Sequence, residues 1–321
     1  MARLRCAILD DYQRVALAMA DWPSLNSTVE VTTLHDRLAT EDDAVAALGT
    51  CDIVVAMRER TAFRASLLAR LPRLRLLVTT GMRNAAIDVP AAIARSITVC
   101  GTASRTEPPT ELTWALILAL ARHLVPEQMA FRTGGPWQST VGSDLQGRRL
   151  GLLGLGKIGQ RVARVGLAFE MDVVAWSQNL TLERAVAAGV RLAASKAELL
   201  ETSDIVSIHL VLSSRTRGLL GREDLMRMRR TAYLINTSRG PIVDEAALIE
   251  ALHAGWIAGA GLDVFDEEPV PLDSPFRTLP NVLGTPHLGY VSQANYQGYY
   301  REALEDIHAY LAGAPVRVID R

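Results

Sequence analysis

Neither charge is in excess in this chain of 321 residues: 34 basic side chains stand against 35 acidic ones, a formal net charge of −1. Nucleic-acid binders show a basic excess or stripe, so that class is set aside. No apolar run approaches the ~20 residues of a membrane-spanning helix. The longest strongly apolar stretch is only 114–121, and the early one at 6–9 stops at Asp10 and Asp11. That is too short for the core of a signal peptide and reads as an ordinary first strand. Cysteine is scarce. Cys6, Cys51 and Cys100 are odd in number and widely spaced, with no C-x-x-C pair. They argue against a disulfide framework or a zinc site, no metal is expected, and buried thiols in a reducing cytoplasm fit them. Like-charge blocks, low-complexity tracts and internal repeats are also missing. With 49% of residues apolar, disorder is not expected.

What is present is an alternation of short apolar runs with helical stretches. Strands are predicted at 6–9, 29–33, 53–56, 76–78 and 97–99, with helical segments such as 41–48 and 65–71 between them. Apolar runs of this length between helices imply a parallel sheet covered on both faces. Segment 110–123 is apolar nearly all round, as a helix buried within its domain or against another subunit would be. Gly134-Gly135-Pro136 interrupts the pattern, and a second series begins near Arg149. Its strands are predicted at 150–153, 173–176, 205–208, 232–235, 258–262 and 282–284. Its helices fall at 158–169, 196–202, 222–228 and 244–254, with a closing helix at about 293–311. At roughly 100–200 residues per domain the length gives two domains. The fold class is α/β with doubly wound parallel sheets.

Leu150-Gly151-Leu152-Leu153 runs directly into Gly154-Leu155-Gly156-Lys157-Ile158-Gly159 and then a helix. G-x-G-x-x-G alone is weak, but strand, turn, helix and further strand is the demanding context of a dinucleotide site. Gly154 makes the tight turn, Gly156 lets the backbone approach a pyrophosphate, and Gly159 lets the helix pack on the strand. The helix start then offers free N–H groups to phosphate. The plain alternative is a tight turn with no ligand. An acid at the end of the next strand would grip the adenosine ribose. Ser177 stands there instead, followed by Gln178 and Asn179, and Arg184 is the nearest downstream arginine. Neutral groups can still bond the ribose, so the pattern favours NAD and leaves NADP open.

Three polar residues follow predicted strand ends: Arg239 after 232–235, Glu268 after 258–262 and His287 after 282–284. Hydride transfer between a nicotinamide and a carbinol carbon needs a proton to leave or join the oxygen, and histidine suits that near neutral pH. A carboxylate bonded to an imidazolium stabilises its charge. A guanidinium holds a carboxylate in a planar fork. Taken singly, the three read as a surface charge, a turn residue and a cap. Ordered behind a dinucleotide turn, they read as a catalytic set. His209, ending strand 205–208, is placed to touch cofactor but lacks a carboxylate in a matching motif.

The turn 154–159 is joined by Asn236-Thr237-Ser238-Arg239-Gly240-Pro241-Ile242-Val243-Asp244, by Gly261-Leu262-Asp263-Val264-Phe265-Asp266-Glu267-Glu268-Pro269 and by Thr285-Pro286-His287-Leu288-Gly289. In this order they resemble the D-isomer specific 2-hydroxyacid dehydrogenase family, in a short form like phosphoglycerate dehydrogenase and hydroxypyruvate/glyoxylate reductase. The resemblance implies two Rossmann-like domains, with a cofactor domain at 101–289 inserted into a substrate-binding domain at 1–100 plus 290–321. It implies an active site in the interdomain cleft, and a cytoplasmic homodimer formed through the cofactor domain. The catalytic roles fall on Arg239, Glu268 and His287. Cofactor contacts fall on Lys157, Ile158, Ser177, Leu210, Thr237, Ser238 and Asp263, together with Gly154, Gly156, Gly159 and Gly289 of the motifs. Arg58 is the substrate-side arginine. The anion-binding loop reads Gly81-Met82-Arg83-Asn84, so Met82 and Arg83 join the substrate set, Arg83 standing where the family carries a second glycine. Tyr290 stands where small residues are frequent, and 209–212 lacks the usual Pro. Only about ten residues follow the closing helix, so no C-terminal regulatory domain of the long phosphoglycerate dehydrogenases is expected.

The activity implied is hydride transfer between NAD(H) and a small D-2-hydroxy acid or its 2-oxo acid. The expected partner is a small anionic substrate, without nucleic acid or membrane. The alternatives are an NADH-binding sensor or corepressor-like interaction protein on the same fold, and a dehydrogenase of formate or phosphite.

Overall fold

Valine-, isoleucine- and leucine-rich runs become parallel strands in two separate sheets. The computed structural model describes residues 3–320. Within these, residues up to Arg105 together with those from Ser292 on form one unit, and Thr106–Val291 form the other.

The first unit holds β1 (Leu4–Ile8), β2 (Val29–Thr33), β3 (Ile53–Ala56), β4 (Leu76–Thr79) and β5 (Thr98–Gly101), in the order β2-β1-β3-β4-β5. Every pair is parallel. β3 and β4 are buried at every position, as strands covered on both faces must be. The closing helix, Gln293–Leu311, buries Tyr296, Tyr299, Tyr300, Leu304 and Ile307 in this unit.

The second unit holds β6 (Arg149–Leu153), β7 (Asp172–Trp176), β8 (Arg191–Leu192), β9 (Ile205–Ile208), β10 (Tyr233–Asn236), β11 (Gly259–Leu262) and β12 (Val282–Gly284), in the order β12-β11-β10-β9-β6-β7-β8. The chain winds outward from β6 through β7 to β8, returns to β9 on the other side of β6, and winds outward again. β6 and β9 therefore flank a topological switch point, where open α/β sheets bind ligands beyond the strands' carboxyl ends. Register makes that end a straight edge. Trp176, Leu153, Ile208, Asn236, Leu262 and Gly284 pair in one row across six strands. The core lies on the two faces of this sheet, one around Leu200, Leu225, Leu234 and Leu248, the other around Ile117, Leu152, Val162 and Ile235.

The sequence pattern missed β8, whose two residues carry no periodicity. The helix expected at 110–123 begins earlier, at Glu107, because Pro108 and Pro109 occupy the first turn, where no N–H is needed. His123, at φ 50°, then starts a second helix, Leu124–Thr133, which buries none of its residues and ends at Gly134 with φ 70°. With no buried stripe it had no period to read. Among the described residues no helix is long and apolar enough to cross a membrane.

Candidate active site

The row of strand ends positions the site of the second unit. Gly154 follows β6 directly, and its N–H donates to the carbonyl of Trp176 at 2.9 Å. Its φ is +103°, and a Cβ there would stand 2.5 Å from the His209 carbonyl oxygen, across the switch point. Gly159 is required for a different contact from the one expected: a Cβ would lie 2.2 Å from the Gly154 carbonyl oxygen, so it closes the turn on itself. Around Gly156, which caps the helix Lys157–Ala168, a Cβ would meet nothing within 4 Å. Gly156 and Lys157 are exposed and Ile158 is half-buried. A glycine facing open space at a helix start is the cradle a pyrophosphate needs, so these residues fit a dinucleotide. Ser177 lies one residue beyond β7, next to the Gly154 bond, and is half-buried, while Gln178 and Asn179 are exposed.

Beyond β9 and β10 the chain is knit by side chains. The Ser238 hydroxyl donates to the Leu210 carbonyl, and the Thr237 hydroxyl pairs with that of Thr113 at 2.8 Å. Asn236, buried at the end of β10, accepts from the Ser238 N–H at 3.0 Å and donates to the Arg239 carbonyl at 3.0 Å. It therefore sets the backbone that carries Arg239, whose Nη1 donates to the Ser238 carbonyl at 2.7 Å.

Beyond β11 and β12 the central group is Asp263, fully buried. Its Oδ1 accepts from the Thr285 hydroxyl at 2.6 Å and the Leu288 N–H at 2.7 Å, and its Oδ2 from the Gly289 N–H at 2.8 Å. A Cβ on Gly289 would stand 3.0 Å from that Oδ2. Burial pushes the Asp263 carboxyl above its ordinary range, against these hydrogen bonds and the attraction of His287. Asp263 thus staples the loop 285–289. On that loop His287, at φ 52°, bonds through Nδ1 to Glu268 Oε2 at 2.6 Å, and Glu268 Oε1 accepts the Phe265 N–H at 3.0 Å. Imidazole and carboxylate are about one-fifth and one-third exposed. The Tyr290 ring lies edge-on to His287, centroids 5.3 Å apart.

His209 is a different kind of histidine. Its Nε2 meets the Ser207 hydroxyl at 2.9 Å, and burial lowers its pKa to about 4, so it is neutral at physiological pH.

In the first unit, Arg58 follows β3 and Gly81 follows β4. Arg58 Nη1 donates to the Thr80 carbonyl at 3.3 Å and to Ser104 Oγ at 3.4 Å. Asn84 locks the loop, donating to the Arg58 carbonyl at 2.6 Å and to Thr79 Oγ1 at 2.8 Å. Met82 and Arg83 are exposed at its tip. The sequence reasoning missed Asn236, Thr285, Ser104 and Thr113. Each acts through a bond to another segment or to local backbone, and only Asn236 and Thr285, inside the quoted motifs, carried any signal.

The sequence profile described as "D-isomer specific 2-hydroxyacid dehydrogenase, NAD binding domain" matches residues 114–289. A glyoxylate reductase of Aeropyrum pernix is 39% identical over 267 residues, covering 79% of this chain and 79% of that one. A D-3-phosphoglycerate dehydrogenase of Methanocaldococcus jannaschii is 36% identical over 253 residues, 78% of this chain and 48% of its own length. The crystal structure of a phosphoglycerate oxidoreductase from Vibrio cholerae o395 is similar with a TM-score of 0.91 at 37% identity, over 97% of this chain and 100% of that one.

Proposed function

Because the chain belongs to the D-isomer specific 2-hydroxyacid dehydrogenase family, we propose that it interconverts a small D-2-hydroxy acid and its 2-oxo acid with NAD(H). The observation that carries this reading is the 2.6 Å bond between His287 Nδ1 and Glu268 Oε2, on the same sheet edge as the Gly-rich turn. That bond fixes the ring and leaves Nε2 to give a proton to the substrate oxygen or take it back. Glu268 stabilises the imidazolium while it carries the proton. Arg239 holds the substrate carboxylate in its planar, permanently charged fork.

Bound NAD(H) supplies or accepts the hydride. Gly154, Gly156, Lys157, Ile158, Gly159, Ser177, Leu210, Thr237, Ser238, Asp263 and Gly289 would hold it. Arg58, Met82 and Arg83 would serve the substrate from the unit that contains β1–β5, which we read as the substrate-binding domain. The dinucleotide-binding domain expected at 101–289 is read onto the unit Thr106–Val291. Three free, buried cysteines support the cytoplasm as its compartment. The exposed apolar side chains of Leu124–Thr133 support a homodimer.

The test follows NADH oxidation with glyoxylate, hydroxypyruvate, pyruvate and phosphohydroxypyruvate. Turnover with at least one is expected, falling about a hundredfold or more in His287→Ala while NADH binding persists. Silence with all four, or full activity of the variant, would overturn the assignment.

A further inference from the structure

On the closing helix Gln293–Leu311, Asn295, Tyr299 and Glu302 are spaced four and three residues apart, which places them on one face. Each reaches one of three consecutive residues after β5. Asn295 Oδ1 accepts the Arg105 N–H at 3.2 Å, the Tyr299 hydroxyl donates to Ser104 Oγ at 3.2 Å, and Glu302 Oε2 accepts the Ala103 N–H at 2.6 Å. The middle contact continues to Arg58, because Ser104 Oγ also accepts from Arg58 Nη1 at 3.4 Å.

The guanidinium lies directly against Gly81, whose φ of +105° favours glycine: a Cβ there would stand 2.0 Å from that Nη1. Its backbone is held as tightly. Arg58 adopts φ 52°, its N–H donates to Thr80 Oγ1 at 2.9 Å, and its carbonyl accepts from Asn84. Tyr299 is 1% exposed, and its ring packs against Tyr296 with centroids 6.5 Å apart. Packing alone would be served as well by phenylalanine. Among the described residues the hydroxyl adds the bond to Ser104.

We propose that Tyr299, acting through Ser104, is a positioning residue for Arg58, so that the closing helix sets affinity for the substrate anion without touching it. The inference rests on Arg58 being the substrate-side arginine of the proposed function. An arginine has many rotamers, and a binding step that need not freeze them loses less entropy.

The test measures the dissociation constant of oxamate, a non-reducible 2-oxo acid mimic, on the NADH-loaded protein by nicotinamide fluorescence, together with KM for glyoxylate. Tyr299→Phe should weaken oxamate binding about three- to tenfold, the worth of one neutral hydrogen bond. KM should rise in parallel and move more than kcat, and the dissociation constant of NADH should stay put. Ser104→Ala should do the same, and Ser104→Thr should restore much of the loss. In an Arg58→Ala background the effect of Tyr299→Phe should vanish, which a merely structural role would not produce. Unchanged oxamate binding in both Tyr299→Phe and Ser104→Ala, or an equal effect with and without Arg58, would overturn the inference alone. If Arg58→Ala itself leaves oxamate binding intact, the substrate-side reading of Arg58 falls, and this inference with it.

Discussion

At the residue scale the three glycines of the turn show how one spacing hides separate requirements. Gly154 and Gly159 are glycine because protein backbone occupies the place of a Cβ, at 2.5 and 2.2 Å, whereas at Gly156 that place is empty. The first two protect the fold and the third keeps a surface open. Gly156→Ala should therefore leave the melting temperature essentially unchanged and weaken NADH binding by about tenfold or more, since a misfit at the phosphates costs charge-assisted bonds. Gly159→Ala should lower the melting temperature by several degrees, as a backbone clash demands. Thermal melts and fluorescence titration of both variants check this; equal behaviour of the two would refute the division. The motif was legible from its spacing together with the strand before it and the helix after it. The reason for each glycine was not, because it exists only in the folded turn: Gly154 faces the His209 carbonyl of another strand, Gly159 faces the Gly154 carbonyl, and Gly156 faces open space.

At the scale of elements, the end of the closing helix is tied to the tail that follows it. Arg317 donates through Nε to Asp306 Oδ1 at 3.0 Å and through Nη2 to the Glu302 carbonyl at 2.7 Å, and its Nη1 lies 3.1 Å from Glu305. The tail pairs with β5 through Gly101 N–H to the Arg317 carbonyl and Ile319 N–H to the Val99 carbonyl. Asp306 is fully buried, and its Oδ2 has no hydrogen-bond partner among the described residues. Burial pushes its carboxyl up to about 7; Arg317 pulls it down, while Glu302 and Glu305 push it further up. An unfolded aspartate releases its proton near 4, so the folded chain holds one proton more across that interval. Its contribution to stability is full in acid and is lost as pH rises from about 4 to about 7. Melting temperatures measured through that range should fall less steeply for Asp306→Asn than for the parent chain, and parallel profiles would sink the prediction. The helix itself was legible, expected at about 293–311 and found at Gln293–Leu311. Its grip on the tail was not, because irregular chain carries no period.

At the scale of the whole molecule, the helix Leu124–Thr133 buries none of its residues and the chain after it is exposed through residue 140. Met129, Phe131 and Trp137 are 61%, 69% and 80% exposed, and the rings of Phe131 and Trp137 lie together with centroids 6.4 Å apart. An exposed apolar patch of this kind is the surface on which the proposed homodimer rests. Phe131→Glu combined with Trp137→Glu should convert a dimer into a monomer in sedimentation velocity while leaving circular dichroism intact. A wild-type chain that sediments as a monomer at micromolar concentration would remove the basis for the homodimer.

The amino-acid order by itself determined the alternation of buried strands and helices, the family, and which imidazole, carboxylate and guanidinium to watch, because those signals are local periodicities and contiguous motifs. Only the tertiary structure decided that six strand ends stand in one row, that Asp263 staples the loop bearing His287, and that Tyr299 of the closing helix and Arg58 after β3 bond to the same serine. These are bonds between segments tens to hundreds of residues apart, and their geometry exists only once parallel pairing has fixed the register.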